Sequence, residues 1–280
     1  MANRKAVEAV DRTLQDIHRN ENLMGGITVL FSGDFRQTLP VVTRGSRADE
    51  VNASLKRSLL WSRVHTLRLT INMRARLGGN ARAQEFSDVL LSLGEGTLPE
   101  QIDGQVVLPE SLGRVVASLE ELIRCVYEDI SRIPHQQNSW VCERAILTPK
   151  NDQAAAAAIN ECILSEIEGN EVVYTSINTV VEKDDATLYP VEFLNSLSAS
   201  GLPAHTIKLK FKRVPVSVCF AMTINKSQGQ TLRVGGVDLR TSCFSHGQLY
   251  VACSRITSPD SLYILAPGSI TTNIVYREVF

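Results

Sequence analysis

The chain has 280 residues, of which 44% are hydrophobic and 21% charged, with a formal net charge of −1. This composition is typical of a globular protein with one large or two modest domains. The sequence has no apolar run long enough to span a membrane and no signal-peptide pattern at its amino terminus. A near-neutral charge excludes a protein that coats nucleic acid with its whole surface, so any such site must be local.

The first half of the chain predicts three helices and two strands. Apolar residues recur at helical spacing in residues 3 to 19, 81 to 93 and 114 to 131. Gly94 is expected to cap the second of these helices. Short continuous apolar runs predict a buried parallel strand at Ile27 to Phe31 and another strand at Val64 to Leu69.

The second half alternates strand and helix signals. Strands are predicted at 145 to 147, at 216 to 222, at 248 to 252 and at 262 to 265, and an alanine-rich helix at Gln153 to about Ile167. Residues 168 to 205 are polar and are expected to be irregular. Alternating strands and helices predict an α/β fold with a parallel sheet.

Cysteines and histidines give no sign of a metal site. The six cysteines are scattered without a C-x-x-C pair, and the five histidines are dispersed. The cysteines are expected to be small buried apolar residues in a reducing intracellular compartment.

The segment from Phe220 to Thr231 is the most informative stretch. An apolar run stops at a cluster of hydrogen-bond donors that contains one cation, Lys226, and one glycine, Gly229. Such strand-to-loop switches bind phosphates and nucleic-acid backbones in α/β proteins. The alternative is an ordinary polar loop that caps the next helix.

A basic stretch surrounds this segment. No acidic residue lies between Glu192 and Asp238, whereas six cations do: Lys208, Lys210, Lys212, Arg213, Lys226 and Arg233. This distribution predicts a local nucleic-acid surface. The alternative is an ordinary exposed basic face.

Four segments in order resemble motifs III, IV, V and VI of the PIF family of superfamily-one DNA helicases, most of all the branch carried by Helitron-type transposons. They are Gly33 to Gln37, Leu69 to Arg74, Thr223 to Thr231 and Leu249 to Arg255. The resemblance covers most of the chain. It implies a RecA-like parallel sheet with flanking helices, of the P-loop NTPase helicase type. Residues 1–62 would be the end of an incomplete first RecA-like domain and residues 63–280 the second.

The resemblance also implies roles for single residues. It assigns catalysis, through the γ-phosphate of the nucleotide, to Gln37, Arg74 and Arg255. It assigns coupling of nucleotide to DNA to Gly33, Asp34, Gly229 and Gln230. It assigns DNA binding to Thr148, Lys150, Asn151, Thr223, Asn225, Lys226, Ser227 and Gln228. The family commonly has histidine where Asn225 stands, and Tyr250 is expected to be a core residue.

The sequence departs from the family in two places. It contains no Gly-Lys pair for a phosphate-binding loop, and its one Asp-Glu pair, Asp49-Glu50, does not follow an apolar strand. Asp34 does follow one, as a magnesium ligand would, but Gly33 to Gln37 matches motif III as a unit. The chain is therefore expected to be truncated at its amino terminus. An SH3-like insertion of the family is expected to be deleted near residues 210–212.

The resemblance implies an ATP- and Mg²⁺-dependent enzyme that unwinds DNA in the 5′ to 3′ direction. Its implied partner is single-stranded or forked DNA, and its implied roles are repair, recombination, telomere maintenance or transposition. It is expected to be a monomer that does not bind a membrane. The nucleus is the expected location, with the mitochondrion as the alternative. The rival hypotheses are a non-catalytic transposon remnant that binds DNA weakly and an unrelated nucleotide-binding protein.

Overall fold

A computed structural model describes residues 2–69, 81–99, 104–130, 136, 138–149, 153–167, 172–180, 189–197, 205–209 and 219–280. Its helices are α1 (Arg4–His18), α2 (Arg47–Ala53), α3 (Ala81–Glu95), α4 (Leu119–Val126), α5 (Asn138–Cys142), α6 (Gln153–Glu166), α7 (Val191–Ser196) and α8 (Gln248–Ser254). Its strands are β1 (Gln105–Val107), β2 (Arg114–Val115), β3 (Arg144–Thr148), β4 (Val172–Thr175), β5 (Thr206–Leu209), β6 (Ala221–Thr223), β7 (Val234–Asp238), β8 (Leu262–Leu265) and β9 (Ile270–Thr272).

The centre of the molecule is a parallel sheet of five strands in the order β2-β8-β7-β3-β6. β3 is fully paired, with β7 on one side and β6 on the other, and its last four residues are buried. A strand covered on both faces reads as a continuous apolar run, which is why Ala145 to Leu147 is recognisable in the sequence. The predicted α/β class with a RecA-like parallel sheet is confirmed.

Two helical layers cover the sheet. On one face, Phe86 and Leu93 of α3 and Leu249 of α8 join a buried apolar cluster with Leu147 and Val237 of the sheet. On the other face, α4 and α6 pack against the sheet through a second cluster, with these members fully or almost fully buried: Leu122, Ile123, Ile146, Ile159 and Ile163. The alternation of Ile146 and Leu147 between the two clusters follows from the side-chain period of a strand.

Two smaller sheets and one packed segment complete the fold. β1 pairs with β9 and β4 pairs with β5, both antiparallel. Residues 274–280 return to the amino-terminal part of the chain, where Tyr276 and Val279 pack on Leu39 and Val51 in a third apolar cluster. We call residues 274–280 the return segment.

Both strands predicted in the first 69 residues are wrong. Ile27 to Phe31 forms no strand and is exposed, with Leu30 at 87%. Residues 64 to 69 are also irregular, and Leu69 is fully exposed. A strand exists only when a neighbour accepts its backbone hydrogen bonds, and no described strand lies beside either segment.

Three further predictions need correction. The apolar run at 248 to 252 is the buried helix α8, because periodicity alone does not distinguish a buried strand from a buried helix. The helix predicted over 114 to 131 divides into β2 and α4 at the Ser118 cap, whose hydroxyl accepts from Glu121 N. Gly94 lies inside α3, and Gly96, with φ of 66°, follows the helix instead.

Other predictions are confirmed. The helices at 3 to 19, 81 to 93 and 153 to 167 correspond to α1, α3 and α6, and the strand at 262 to 265 is β8. Of the strand predicted at 216 to 222, residues 219–222 lie among the described residues, and β6 begins there at Ala221. The polar region 168 to 205 is not wholly irregular, because it contains β4 and α7.

The cysteines are all free, as expected, but they are not uniformly buried. Cys243 and Cys253 are buried, Cys125 and Cys162 are intermediate, and Cys142 and Cys219 are exposed. Among the described residues, no helix is long and apolar enough to cross a membrane.

Candidate functional site

Two buried threonines stand side by side at the carboxyl edge of the central sheet. Thr148 ends β3 and Thr223 ends β6, and the two are register partners in neighbouring parallel strands. Adjacent strands lie about 4.8 Å apart, and register partners point to the same face. The two residues are only 2% and 6% exposed, and neither hydroxyl has a hydrogen-bond partner within the described structure. We call them the threonine pair.

The threonine pair lies on the face that α6 covers. Ile146 and Ala221, two residues earlier in each strand, belong to the apolar cluster that contains Ile159 and Ile163 of α6. α6 begins at Gln153, soon after β3 ends, and runs for 14 residues. The amino end of a helix carries a partial positive charge and unpaired N–H groups, which favour an anion there. Lys150 and Asn151, the two predicted site residues in this turn, lie outside the described residues.

The turn after β6 supplies a third polar group. A 3₁₀ turn runs over Ile224–Ser227, and the Oδ1 atom of Asn225 is buried there without a partner in the described structure. Lys226 is exposed next to it. Ser227 is fully buried, and its hydroxyl donates to the Ile224 carbonyl at 2.7 Å. The turn therefore presents an amide oxygen and an ammonium group, while Ser227 holds its backbone.

Gln228 connects this turn to the amino-terminal part of the chain. Its Nε2 donates to the hydroxyl of Thr38, which is 190 residues away in the sequence. Gly229 follows with φ of 81°, a conformation that side chains rarely adopt, and no atom lies within 4 Å of the position its Cβ would take. Motif V thus contacts Thr38, the residue that directly follows motif III.

Asp34 organises the loop Gly33 to Gln37. Its Oδ1 accepts from the Arg36 backbone N–H at 3.0 Å, and its carbonyl accepts from Gln37 N at 3.1 Å. The Arg36 guanidinium extends to Glu95 of α3, where Nη2 and Oε1 are 2.6 Å apart. Partial burial opposes the charge of Arg36, but the bond to Glu95 and the nearby Asp34 raise its pKa above the ordinary value. Gly33 itself is exposed.

The beginning of α8 holds the same loop. His246 is fully buried, with Nε2 2.8 Å from the Phe35 carbonyl and Nδ1 2.9 Å from Tyr276 N. A carbonyl only accepts and a backbone N–H only donates, so the geometry assigns the neutral tautomer with its proton on Nε2. Burial lowers the pKa of His246, which favours this neutral form. Gly247 has no room for a side chain, because its Cβ would lie 2.1 Å from the Arg36 carbonyl oxygen.

Sequence reasoning missed the role of Tyr250. Its ring packs beside the core, as expected, but its hydroxyl donates to Asp34 Oδ2 at 2.8 Å, across 216 residues of sequence. Burial and then the Asp34 carboxylate raise the pKa of Tyr250. The only sequence signal was a polar atom on an aromatic residue in an otherwise apolar helix, since a buried tyrosine hydroxyl usually has a partner.

Arg255 lies at the other edge of the sheet. Its carbonyl accepts from Leu232 N just before β7 begins, and Ile256 bridges to Leu232. We expected strand ends to bring Lys226, Arg74 and Arg255 to one edge; for Arg255 this is wrong, because α8 carries the chain back to the start of the strands. The Arg255 guanidinium is bound to three protein acceptors: the Val251 carbonyl, the Gln230 carbonyl and the Ser254 hydroxyl. Arg74 lies outside the described residues.

Within the described part of the chain, no group of three or more His, Cys, Asp or Glu side chains is placed to hold a metal ion. Asp34 has both carboxylate oxygens engaged by Tyr250 and Arg36. Asp49 accepts from the backbone and hydroxyl of Ser46 as part of the cap of α2. These bonds do not favour either carboxylate as a magnesium ligand.

Comparison with known proteins points to one family. The PIF1-like helicase family matches residues 1–104. The ATP-dependent DNA helicase RRM3 of Saccharomyces cerevisiae is 42% identical over 81 residues, which are 28% of this chain and 11% of RRM3. The ATP-dependent DNA helicase Pif1 of Psychrobacter is 22% identical over 351 aligned residues, 98% of this chain and 53% of that protein. The chain thus spans about half the length of the Psychrobacter helicase.

Solved structures share the fold. Pif1 helicase from Candida albicans superposes with a TM-score of 0.64 at 18% identity, covering 100% of this chain and 73% of that one. Pif1 helicase from Bacteroides, solved in complex with ADP-AlF3 and ssDNA, gives 0.55 at 17% identity, covering 100% and 70%. The match to residues 1–104, the similarity to Pif1 and RRM3 helicases and the shared fold support the resemblance to PIF-family helicases.

Proposed function

We propose that this chain forms the single-strand-gripping part of an ATP-dependent 5′ to 3′ DNA helicase. The observation that carries the proposal is the threonine pair, two buried hydroxyls that have no hydrogen-bond partner among the described residues and lie on the sheet face that α6 covers. A buried hydroxyl that makes no hydrogen bond costs about 1–3 kcal/mol. A ligand that accepts two hydrogen bonds at this position recovers that cost.

A backbone phosphate fits this position. Threonine hydroxyls donate to its oxygens, the amino end of α6 favours its negative charge, and the exposed Lys226 adds a cation nearby. Asn225 Oδ1 accepts hydrogen bonds, so it suits a base N–H or a water. None of these groups reads a base pair in a duplex groove. We therefore propose contact with a single strand that does not depend on base sequence, with Lys150, Asn151 and Gln228 as further contacts.

The nucleotide side of the proposal rests on fewer residues. Gln37, Gly33 and Asp34 lie in one loop, and Gly229 and Gln230 follow Gln228, which contacts that loop at Thr38. Arg255 is bound to Gln230. We propose that these residues, with Arg74, respond to ATP. We also propose that Mg²⁺ is held by groups other than Asp34, whose two carboxylate oxygens are both engaged, and Asp49, whose Oδ2 accepts from Ser46.

Several finer features belong to the same proposal. We propose that residues 1–62 complete a first RecA-like domain and that residues 63–280 form the second. We also propose that the SH3-like insertion is missing near 210–212. Action on single-stranded or forked DNA as a monomer, in repair, recombination, telomere maintenance or Helitron transposition, follows the resemblance. A nuclear location is proposed, with the mitochondrion as the alternative.

A second candidate is a non-catalytic remnant that binds single strands weakly. The engaged carboxylates of Asp34 and Asp49 favour it, because phosphoryl transfer needs a metal ion positioned on the phosphates. The two candidates share the DNA site and differ in ATP turnover.

Fluorescence anisotropy with a labelled single-stranded oligonucleotide tests the DNA site. Valine keeps the shape of threonine and removes the hydroxyl, so the double variant Thr148→Val/Thr223→Val should weaken binding at least tenfold. Thr271→Val is the matched control, because its hydroxyl is also buried and unpartnered in the described structure but lies on β9. Equal affinity of the double variant and the control would rule the threonine pair out as the site.

Salt titration adds an independent measure. Each phosphate contact with a single strand should contribute about −0.7 to the slope of log affinity against log salt. A site with few cations should therefore show a shallow slope, and charge reversal of Lys208, Lys210 and Lys226 should weaken binding. Unchanged affinity in that triple variant would exclude the basic stretch from the site.

A further inference from the structure

We propose that Tyr250 is a positioning residue of this helicase: its hydroxyl fixes Asp34, and through Asp34 it sets the conformation of the loop Gly33 to Gln37. The inference rests on the proposed function, because this loop would serve Gln37 and the 3₁₀ turn Ile224–Ser227, which we call the DNA-gripping turn.

The bond is placed to control the loop. Asp34 has one oxygen on the Tyr250 hydroxyl, at 2.8 Å, and the other on the Arg36 backbone N–H, at 3.0 Å. The carboxylate therefore joins a side chain of α8 to the backbone of its own loop. Removing the hydroxyl of Tyr250 leaves one oxygen of a half-buried carboxylate without that donor, and the carboxylate is then free to turn away from Arg36 N.

The ring of Tyr250 is held firmly enough to aim its hydroxyl. A Cβ placed on Gly94 of α3 would lie 2.9 Å from Tyr250 Cδ2 and 2.8 Å from Arg36 Cδ. The absence of a side chain at Gly94 thus lets α3 approach both residues closely. The ring fits between α3 and the loop, so its orientation is determined by packing and its hydroxyl by the bond to Asp34.

The loop transmits this position to the DNA-gripping turn. Gln37 N donates to the Asp34 carbonyl, and the next residue, Thr38, accepts from Gln228. Gln228 directly follows the 3₁₀ turn that carries Lys226. A continuous series of contacts therefore leads from Tyr250 through Asp34 and Thr38 to Gln228, and both ends of the loop are fixed by groups from elsewhere in the sequence.

Hydrogen exchange measures the position of the loop directly. In the full 280-residue chain, Tyr250→Phe should speed exchange of the Arg36 and Gln37 amides roughly tenfold, since both amides donate to Asp34. Asp34→Ala should do the same, and the double variant should exchange no faster than Asp34→Ala alone. Tyr263→Phe, on β8, is the matched control and should leave these amides unchanged.

Two results would overturn the inference. One is that the Arg36 and Gln37 amides of Tyr250→Phe exchange at the same rate as those of the Tyr263→Phe control. The other is equal acceleration of the β3 and β7 amides, which would make Tyr250 a residue of general stability only. A second arm adds a saturating single-stranded oligonucleotide, which should slow exchange at Gln37 in the parent chain and not in Tyr250→Phe. If the parent chain does not bind the oligonucleotide, the proposed function fails, while the first arm still decides the role of Tyr250.

Discussion

Asn160 binds both backbone groups of Ala221. Its Oδ1 accepts from Ala221 N at 2.8 Å, and its Nδ2 donates to the Ala221 carbonyl at 3.0 Å. Among the described strands β6 is at the edge of the central sheet, so no described strand pairs with these groups on that side. One amide side chain of α6 thus takes the place of a neighbouring strand and holds Thr223 level with Thr148.

Replacing Asn160 should therefore destabilise the sheet edge. Asn160→Ala leaves a backbone N–H and a carbonyl without their partners, which should lower the free energy of unfolding by about 2–3 kcal/mol. Urea unfolding followed by circular dichroism measures the loss. Gln84→Ala is the control, because Gln84 bonds to Asp88 on an exposed surface and its replacement should change stability little. Equal effects of the two substitutions would contradict the role of Asn160.

His246 should make stability depend on acidity. Burial lowers its pKa in the folded chain, while the unfolded chain takes up a proton near pH 6.5. The unfolded state therefore binds more protons as the pH falls, so the contribution of His246 is complete above about pH 6.5 and decreases below it. The facing charges are Asp34, Arg47 and Glu278.

The measurement is the free energy of unfolding at several values between pH 7.5 and about pH 5. His246→Asn should show a shallower decline than the parent chain over that range, because the group that titrates is gone. His18→Asn, at an exposed position in α1, should keep the decline of the parent. Parallel pH profiles for all three proteins would exclude His246 as the cause.

Val279 should stabilise the return segment. It is fully buried against Leu39, Val51 and Tyr276. Val279→Ala removes two buried carbon atoms and should cost about 2 kcal/mol of unfolding free energy. Val41 is 79% exposed, so Val41→Ala serves as the control and should be nearly neutral. A neutral Val279→Ala would show that the third apolar cluster does not hold the two ends of the chain together.

Alanine substitutions at two glycines distinguish the cost of a strained backbone from the cost of a steric clash. Gly247 and Gly268 have φ of 69° and 66°, but a Cβ would meet the Arg36 carbonyl only at Gly247, and nothing within 4 Å at Gly268. Gly268→Ala should therefore cost about 1–2 kcal/mol from the left-handed backbone alone. Gly247→Ala should cost at least about 1–3 kcal/mol more, because the loop must move. Thermal and urea unfolding of the two variants side by side give the comparison, and equal losses would contradict the close approach.

The chain by itself should not hydrolyse ATP. The Arg255 guanidinium already donates hydrogen bonds to three protein acceptors, and the sequence has no Gly-Lys pair for a phosphate-binding loop. An arginine finger accelerates phosphoryl transfer only when the phosphates and metal are already positioned. Phosphate release with and without single-stranded DNA is the measurement. DNA-stimulated turnover that disappears in Arg255→Ala would contradict the prediction.

Local sequence was sufficient for elements whose pattern depends only on neighbours along the chain. Amphipathic α1 and α3, alanine-rich α6 and the apolar strands β3 and β8 were all identified in this way. It failed at Ile27 to Phe31 and at 248 to 252. Whether an apolar run becomes a strand depends on a partner strand, and whether it becomes a helix depends on what surrounds it, and neither is encoded by spacing.

In the candidate site, too, the sequence identified residues but not the contacts between them. Thr223 belongs to one of the four motifs and Thr148 was assigned by the resemblance outside them, but only the parallel register of β3 and β6 places their hydroxyls together in a buried position. The bond from Tyr250 to Asp34 joins residues 216 positions apart, so no local pattern contains it. The position of Arg255 depends on the direction in which α8 crosses the sheet. The sequence by itself determined which residue types bear the chemistry; tertiary structure decided which of them meet, because contacts between distant segments arise only when the strands have paired and the helices have packed.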